Sequence, residues 1–345
     1  MKTNSSIRTS LPIFTVAALA FFTFCVTSAR AQDLWVNYEG ATGPGKGKHI
    51  VLVSGDEEYR SEEALPQLAK ILAKEHGFKC TVLFAIDKDG TINPNVSNIP
   101  GLEALDHADA MIIFTRFRDL PDEQMKHIVD FIVAGKPVLG IRTATHAFSI
   151  KSGKTYSRYS YNSNEKGYEK GFGKQVFGET WVDHNGLNGK EATRGLIIKG
   201  QEKNPILRGI KDGDIFGQEG VYKVNLPMAA SCTPLLLGEV VAGQKPTDPA
   251  AKGAKNDPMM PVAWTNTYAV KDGKTGKSFA TTTGCSQDME NEGYRRLLVN
   301  ATYWAVGMED KISEKAKVDL VGEYKPSSYR GSFVKGVKPA DLAIK

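Results

Sequence analysis

Between residues 49 and 141 short apolar runs alternate with segments of helical spacing, and this alternation constrains the fold more than any other feature of the chain. "HIVLVSG" (49–55) is a continuous apolar run closed by Gly, which suits a strand buried on both faces. A polar loop, "DEEYR", leads to "SEEALPQLAKILAKEHG", where Leu65, Leu68, Ala69, Leu72 and Ala73 fall at helical spacing, Ser61 offers an N-cap and Gly77 a stop. The unit then repeats: strands at 80–86 and 108–115, a helix over 121–135 opened by Pro and closed by Gly, and a strand at 137–141. Strands alternating with helices predict a mostly parallel sheet with helices on both faces.

In an open sheet of that kind, ligands sit beyond the carboxyl ends of the strands. The polar endings therefore gather on one rim: Asp56, Glu57 and Glu58 after the first strand, Arg116 and Arg118 after the third, Arg142, Thr143 and His146 after the fourth. A buried strand that finishes in a guanidinium, hydroxyls and an imidazole marks the place where the architecture makes its crevice.

From 151 to 173 the chain is rich in Tyr, Ser, Gly and Lys and shows no apolar period, so it reads as a surface excursion, either a lid or a mobile loop. The second half is more strand-like, with runs at 192–200, 233–241, 260–270 and 277–284, then a helix over 291–306. The tail after Gly307 has little apolar period and is expected to wrap the surface.

The N-terminus carries a different signal. Lys2 and Arg8 precede an apolar run from Leu11 to Val26 that ends in Ser28-Ala29-Arg30-Ala31, the pattern of an export signal cleaved after residue 31. The alternative, an uncleaved anchor, is disfavoured by the shortness of the run. Residues 32–47 then read as a linker, 48–307 as one domain and 308–345 as an extension, with a periplasmic or extracellular location and no stable membrane span after cleavage. Losing Lys2, Arg8 and Arg30 takes the 44 basic residues to 41 against 39 acidic ones, so the apparent basicity is partly the leader's. No Lys/Arg run of the kind that tracks phosphates remains, which argues against a nucleic-acid partner. Cys80, Cys232 and Cys285 lack metal-ligand spacing, and an odd number permits at most one internal disulfide.

The succession "HIVLVSGDEEYR", "ADAMIIFTRFRDLPDEQMKHIVDFIVAGKPVLGIRTATHAF", "NPILRGI", "GQEGVY", "PVAWTNTY" and "SFATTTGCSQDMENEGYRRLLVNATYWAVG" resembles the trehalose-utilisation (ThuA-like) family over roughly residues 48–307. That family is similar in fold to class I glutamine amidotransferases, so the resemblance implies a flavodoxin-like, doubly wound sheet. It also places Arg142 where those enzymes carry their nucleophilic Cys. A guanidinium is no nucleophile in water, so no glutaminase activity is expected. Cys285 stands at a position that is commonly His in the family and reads as a small buried thiol.

The resemblance implies sugar metabolism, with lyase, hydrolase or isomerase chemistry on keto-glycosides as its enzymatic form. In that scheme His146 and Glu219 move protons, while Asp56, Glu57, Arg116, Arg142, Thr143, His184 and Gln287 contact a small carbohydrate-type ligand. Each has a plainer reading as well: Arg142 as a structural ion pair, His146 as a histidine held by a backbone carbonyl, Glu219 as a turn cap, Gln287 and Asp288 as helix-start residues. No cofactor is expected, since no nucleotide-binding glycine motif is present, although His146, Asp183, His184 and Glu219 could between them hold a divalent cation. The rival to an enzyme is a catalytically silent glycan- or protein-binding module, and a homo-oligomer stays open.

Overall fold

The computed structural model describes residues 1–3, 34–40 and 42–344. The expected export signal and its cleavage site lie outside the described residues. Among those described, no helix is long and apolar enough to cross a membrane.

The alternating first half forms the expected units. Strand β1 (Trp35–Tyr38) comes first, inside the stretch read as a linker. Then follow β2 (His49–Gly55), α1 (Ser61–His76), β3 (Lys79–Leu83), β4 (Ala110–Thr115), α2 (Asp122–Val133) and β5 (Val138–Ile141). The second half supplies α3 (Gly171–Phe177), the short β6 (Asp183–His184), β7 (Ala192–Ile197), β8 (Phe216–Gly217), β9 (Tyr222–Lys223), β10 (Cys232–Val241), β11 (Met260–Tyr268), β12 (Gly276–Thr281) and α4 (Glu292–Ala305).

One large sheet runs in the order β1-β3-β2-β4-β5-β12-β11-β10-β7-β8. Its centre, β3-β2-β4-β5-β12, is parallel. The flanks are antiparallel: β1 on β3 at one side, and β11, β10, β7 and β8 at the other. The sheet is therefore mixed rather than mostly parallel. The cause is local, because β10, β11 and β12 follow one another without a crossover helix, and strands joined that way turn back on themselves. Alternation along β5 shows helices on both faces: the Gly140 Cα lies so close to the Phe177 ring of α3 that a Cβ would come within 2.4 Å, whereas Ile141, pointing the other way, lies beside Gly284 and Tyr294 of α4. This is an α/β architecture compatible with the flavodoxin-like kind.

Two local details differ from expectation. The N-cap of α1 is Arg60, in the left-handed region at φ 61°, and Ser61 is the first helical residue. Its hydroxyl is used instead to tie the turn, pairing with Ser54 Oγ at 2.8 Å and accepting from the Asp56 amide at 2.9 Å. The stretch 151–173 is also less loose than its composition suggests, since Tyr159, Tyr168 and Phe172 are buried in the core.

Candidate functional site

The rim expected at the strand ends exists, and it is held together by carboxylates. Asp56 accepts hydrogen bonds from the Glu58 amide (2.8 Å), from the Tyr59 amide and from the Thr143 hydroxyl, so it clasps the end of β2 to the end of β5. Its complete burial pushes its pKa up to about 6, against the lowering effect of the Thr143 and Tyr59 bonds. Glu57 bridges Arg116 and Arg118, the latter at 2.8 Å. Glu58 forms an ion pair with Arg116, its carboxylate oxygen 3.0 Å from Nε. Arg116 and Glu57 are about a quarter exposed and form the accessible edge of the rim.

Immediately after β5 the chain turns through a 3₁₀ segment, Arg142–His146, every residue of which is buried. Arg142 sits at φ 49°, and Phe117, just past β4, at φ 50°. Left-handed backbone at non-glycine residues is costly and gathers at functional sites; here it falls at two adjacent strand ends.

The expectation of a ligand-facing guanidinium at Arg142 meets a different geometry. The side chain is fully buried. Nη1 donates to the carbonyls of Gly220 and Thr282, and Nη2 to Tyr59 Oη (3.2 Å) and Asn188 Oδ1 (3.3 Å). The rings of Tyr59 and Tyr222 enclose it, with centroids 4.4 and 4.0 Å from the guanidinium carbon. Neither a carboxylate clamp nor an ion pair describes it; it is a cation packed between phenols and bonded to neutral oxygens.

His146 is the better placed of the two. It is 3% exposed, with ring centroids of Phe117 at 4.9 Å, Trp181 at 5.4 Å and Tyr222 at 6.0 Å. Nδ1 lies 3.2 Å from Thr145 Oγ1. Burial, reinforced by the charges of Arg116 and Arg142, holds its pKa well below the ordinary histidine value, so the imidazole is neutral. His184, exposed on β6, packs against Trp181 and Tyr222 (5.6 and 5.5 Å) and completes this aromatic wall. Tyr161 closes it from the excursion, 4.7 Å from Phe117.

Glu219 lies within the electrostatic reach of Arg142 and Asp288. It is 2% exposed, its Oε2 has no hydrogen-bond partner among the described residues, and burial raises its pKa to about 7 although Arg142 opposes the shift. Gln287 is half-buried on the 3₁₀ turn Ser286–Glu290, and the structure brings its neighbour Asp288 to the cluster instead. Asp288 accepts from the amides of Gln218 (2.7 Å), Gly284 (2.7 Å) and Cys285 (3.1 Å), and the Cys285 thiol donates to it at 3.0 Å. Cys285 is buried, and its pKa is pushed well up by burial and by Asp288, so its sulfur stays protonated. Cys80, Cys232 and Cys285 are all free thiols.

Among the described residues, no three His, Cys, Asp or Glu side chains converge so as to hold a metal ion. His146, Asp183, His184 and Glu219 are not such a group. Sequence reasoning missed the aromatic half of the site: Tyr59, Phe117, Trp181 and Tyr222. Tyr59 and Phe117 stand inside polar stretches, "DEEYR" and "RFR", where a large ring without apolar periodicity was the available signal. It also missed Tyr329 and Arg330. Both reach Glu58 from the C-terminal tail, Tyr329 Oη at 3.0 Å and Arg330 Nη2 at 2.7 Å.

No family model and no curated protein matches the chain. Among solved structures, a ThuA-like protein from Parabacteroides merdae is similar, at 12% identity and a TM-score of 0.48, over 83% of this chain and 98% of that one. A cytoplasmic protein of Salmonella typhimurium is similar at 12% identity and a TM-score of 0.40, over 74% of this chain and 98% of that one. Neither likeness assigns an activity to the chain.

Proposed function

We propose that the strand-end cluster binds a small carbohydrate-derived ligand, a keto-glycoside in the enzymatic form of this reading, and that His146 serves as its proton acceptor. The observation that carries this is a neutral imidazole walled by Phe117, Trp181, His184 and Tyr222, beside the partly exposed Glu57–Arg116 pair. Aromatic faces take the apolar C–H face of a sugar ring, and a carboxylate–guanidinium edge takes its hydroxyls. With Nδ1 facing Thr145, Nε2 is left for the ligand. A base kept neutral by burial accepts a proton without first having to lose one. Arg142 acts from beneath, holding Tyr59 and Tyr222 in place, and Arg116 is the guanidinium that meets the ligand. Thr143 and Asp56 fix the floor. The reading includes no glutaminase chemistry, because a guanidinium, that of Arg142, stands where the resemblance puts the nucleophile.

A specific observation favours the second reading, a silent binding module: among the described residues Glu219, the other acid–base candidate, makes no hydrogen bond to His146, whose ring nitrogen pairs with Thr145. Calorimetric titration with glucose and with methyl 3-keto-glucoside, followed by a turnover assay on whichever binds, separates the two. Binding with turnover that His146→Asn lowers by roughly two orders of magnitude fits the enzyme. Binding without turnover fits the module, and absence of binding by either sugar rejects the carbohydrate reading. The same proposal places the mature chain, from residue 32, outside the cytoplasm. Intact-mass measurement of protein from its native envelope tests that placement.

A further inference from the structure

The C-terminal tail is fastened by buried apolar residues at two ends and by mainly polar contacts between them. On the near side, Ile312, Val318 and Val321 are buried, and the Val318 carbonyl accepts from Arg295. His76 Nε2 lies 2.8 Å from the Lys317 carbonyl. On the far side, Pro339 is buried, the Val337 carbonyl accepts from the Ile92 amide (2.8 Å) and the Leu342 carbonyl from Tyr38 Oη (2.7 Å). The stretch between is bounded by Gly322 (φ 75°) and Gly336 (φ 80°), each with nothing within 4 Å of where a Cβ would stand. Left-handed glycines in open space are where a chain can pivot at low cost.

What holds that stretch is largely polar: Tyr324 Oη donates to the Ser286 carbonyl (2.7 Å), Ser286 Oγ to the Ser327 carbonyl (2.9 Å) and Arg60 Nη1 to the Gly331 carbonyl (3.0 Å). Ser327 donates through its amide and its hydroxyl to Glu63, both at 2.7 Å. Tyr329 Oη and the Arg330 guanidinium donate to the Glu58 carboxylate at 2.7–3.0 Å, and the Arg330 amide to the Glu58 carbonyl at 3.0 Å. The Tyr329 ring lies over Tyr59, centroids 5.2 Å apart, and Tyr59 is fully buried. Beneath the same stretch, between it and α1, is a largely apolar cavity of about 200 Å³ lined by Pro66, Ile92, Phe333 and Val337 among others. The tail rests on the core through Tyr324 and Tyr329 and spans this cavity around Phe333 and Val334.

We propose that residues 323–335 form a strap hinged at Gly322 and Gly336 and latched on Glu58, which opens to admit solutes to the Tyr59–Arg142 floor of the crevice and closes over them. The proposal rests on the reading of that crevice as a binding site. Its latch is shared, because the carboxylate that receives Arg330 also receives Arg116 of the rim. A ligand that engages Arg116 weakens its hold on Glu58 and so alters the grip on the strap.

The test needs no ligand. Hydrogen exchange on the full chain should show residues 323–335 exchanging about tenfold faster in Glu58→Gln than in wild type, with 49–55 unchanged. Hydroxyl-radical footprinting, mapped by mass spectrometry, should show oxidation of Tyr59 rising in the same variant. Joining the strap to α1 by a disulfide, with Glu63→Cys and Ser327→Cys added to Glu58→Gln, should restore the protection of Tyr59, and reduction should remove it again. If Glu58→Gln loosens the whole fold, Tyr329→Phe, which deletes only the tail's hydroxyl, decides through the same two readouts. Unchanged exchange across 323–335 in the deciding variant overturns the proposal, as does a strap that loosens while Tyr59 stays protected. Failure of every sugar to bind would remove the carbohydrate reading and leave these outcomes as they stand.

Discussion

The guanidinium carbon of Arg142 lies 4.0 Å from the ring centroid of Tyr222, and the two residues come from different strands, Arg142 just after β5 and Tyr222 at the start of β9. That contact, with Tyr59 on the other face, makes Arg142 the keystone of the floor. Arg142→Met keeps much of the volume but leaves the Gly220 and Thr282 carbonyls without their donor. A loss on the order of 3 kcal/mol in urea unfolding is expected, from orphaned acceptors plus a lost cation–π sandwich. A change smaller than about 0.5 kcal/mol would show that the floor stands without it.

Glu219 gives a pH signature of definite sign. Its carboxyl is raised to about 7 in the fold, so between the ordinary glutamate value of 4.5 and that value the folded state holds a proton the unfolded chain has released. Its contribution to stability is therefore present at low pH and lost as pH rises toward 7 and beyond. Glu219→Gln removes this loss: its Tm relative to wild type should be higher at pH 8 than at pH 5. Parallel Tm curves across that range would contradict the assignment.

His146 acts in the opposite direction. Held neutral in the fold, it resists the protonation that the unfolded chain accepts below about 6.5, so wild type loses stability as pH falls through that value. His146→Asn should flatten the acid limb of the stability profile between pH 7.5 and 5.5, measured by urea midpoint. An acid limb as steep as wild type's would mean that the imidazole titrates freely.

Packing fixes where the turn that carries His146 sits. A Cβ on Gly173 would come within 1.9 Å of the Thr145 carbonyl, so α3 presses directly on the turn that carries His146. Gly173→Ala should cost about 1–3 kcal/mol of stability and weaken sugar binding in the same protein, because backbone cannot yield as a flexible side chain can. Unaltered calorimetric affinity would disconnect α3 from the site.

The strand–helix order of the first half was readable because each unit carries its own period, and β2 spans the same residues, 49–55, in sequence and structure. The antiparallel flank was readable only in part. Runs at 233–241 and 260–270 announced strands, but their direction follows from connections, and no period records a direction. At the site, Asp56, Thr143, Arg116 and His146 came out of the rule that ligands lie beyond strand ends. Arg142 came from the same rule, yet its burial depends on Tyr59 and Tyr222, 83 residues before it and far beyond it in the chain, a pairing that local pattern does not encode. Tyr329 and Arg330 were invisible for a related reason: a tail held by polar contacts to a distant residue leaves no repeat to detect.

The bond from Tyr38 of β1 to the Leu342 carbonyl joins the first strand of the sheet to the last turn of the chain. The described polypeptide is in effect buckled into a ring, although no covalent link closes it. Neither end can fray alone, since releasing the last turn takes away a support of β1, and releasing β1 bares the backbone edge of β3. An uncovered edge is a template for pairing with another chain. The buckle thus guards the sheet's flank against self-association, and it does so with residues more than 300 positions apart.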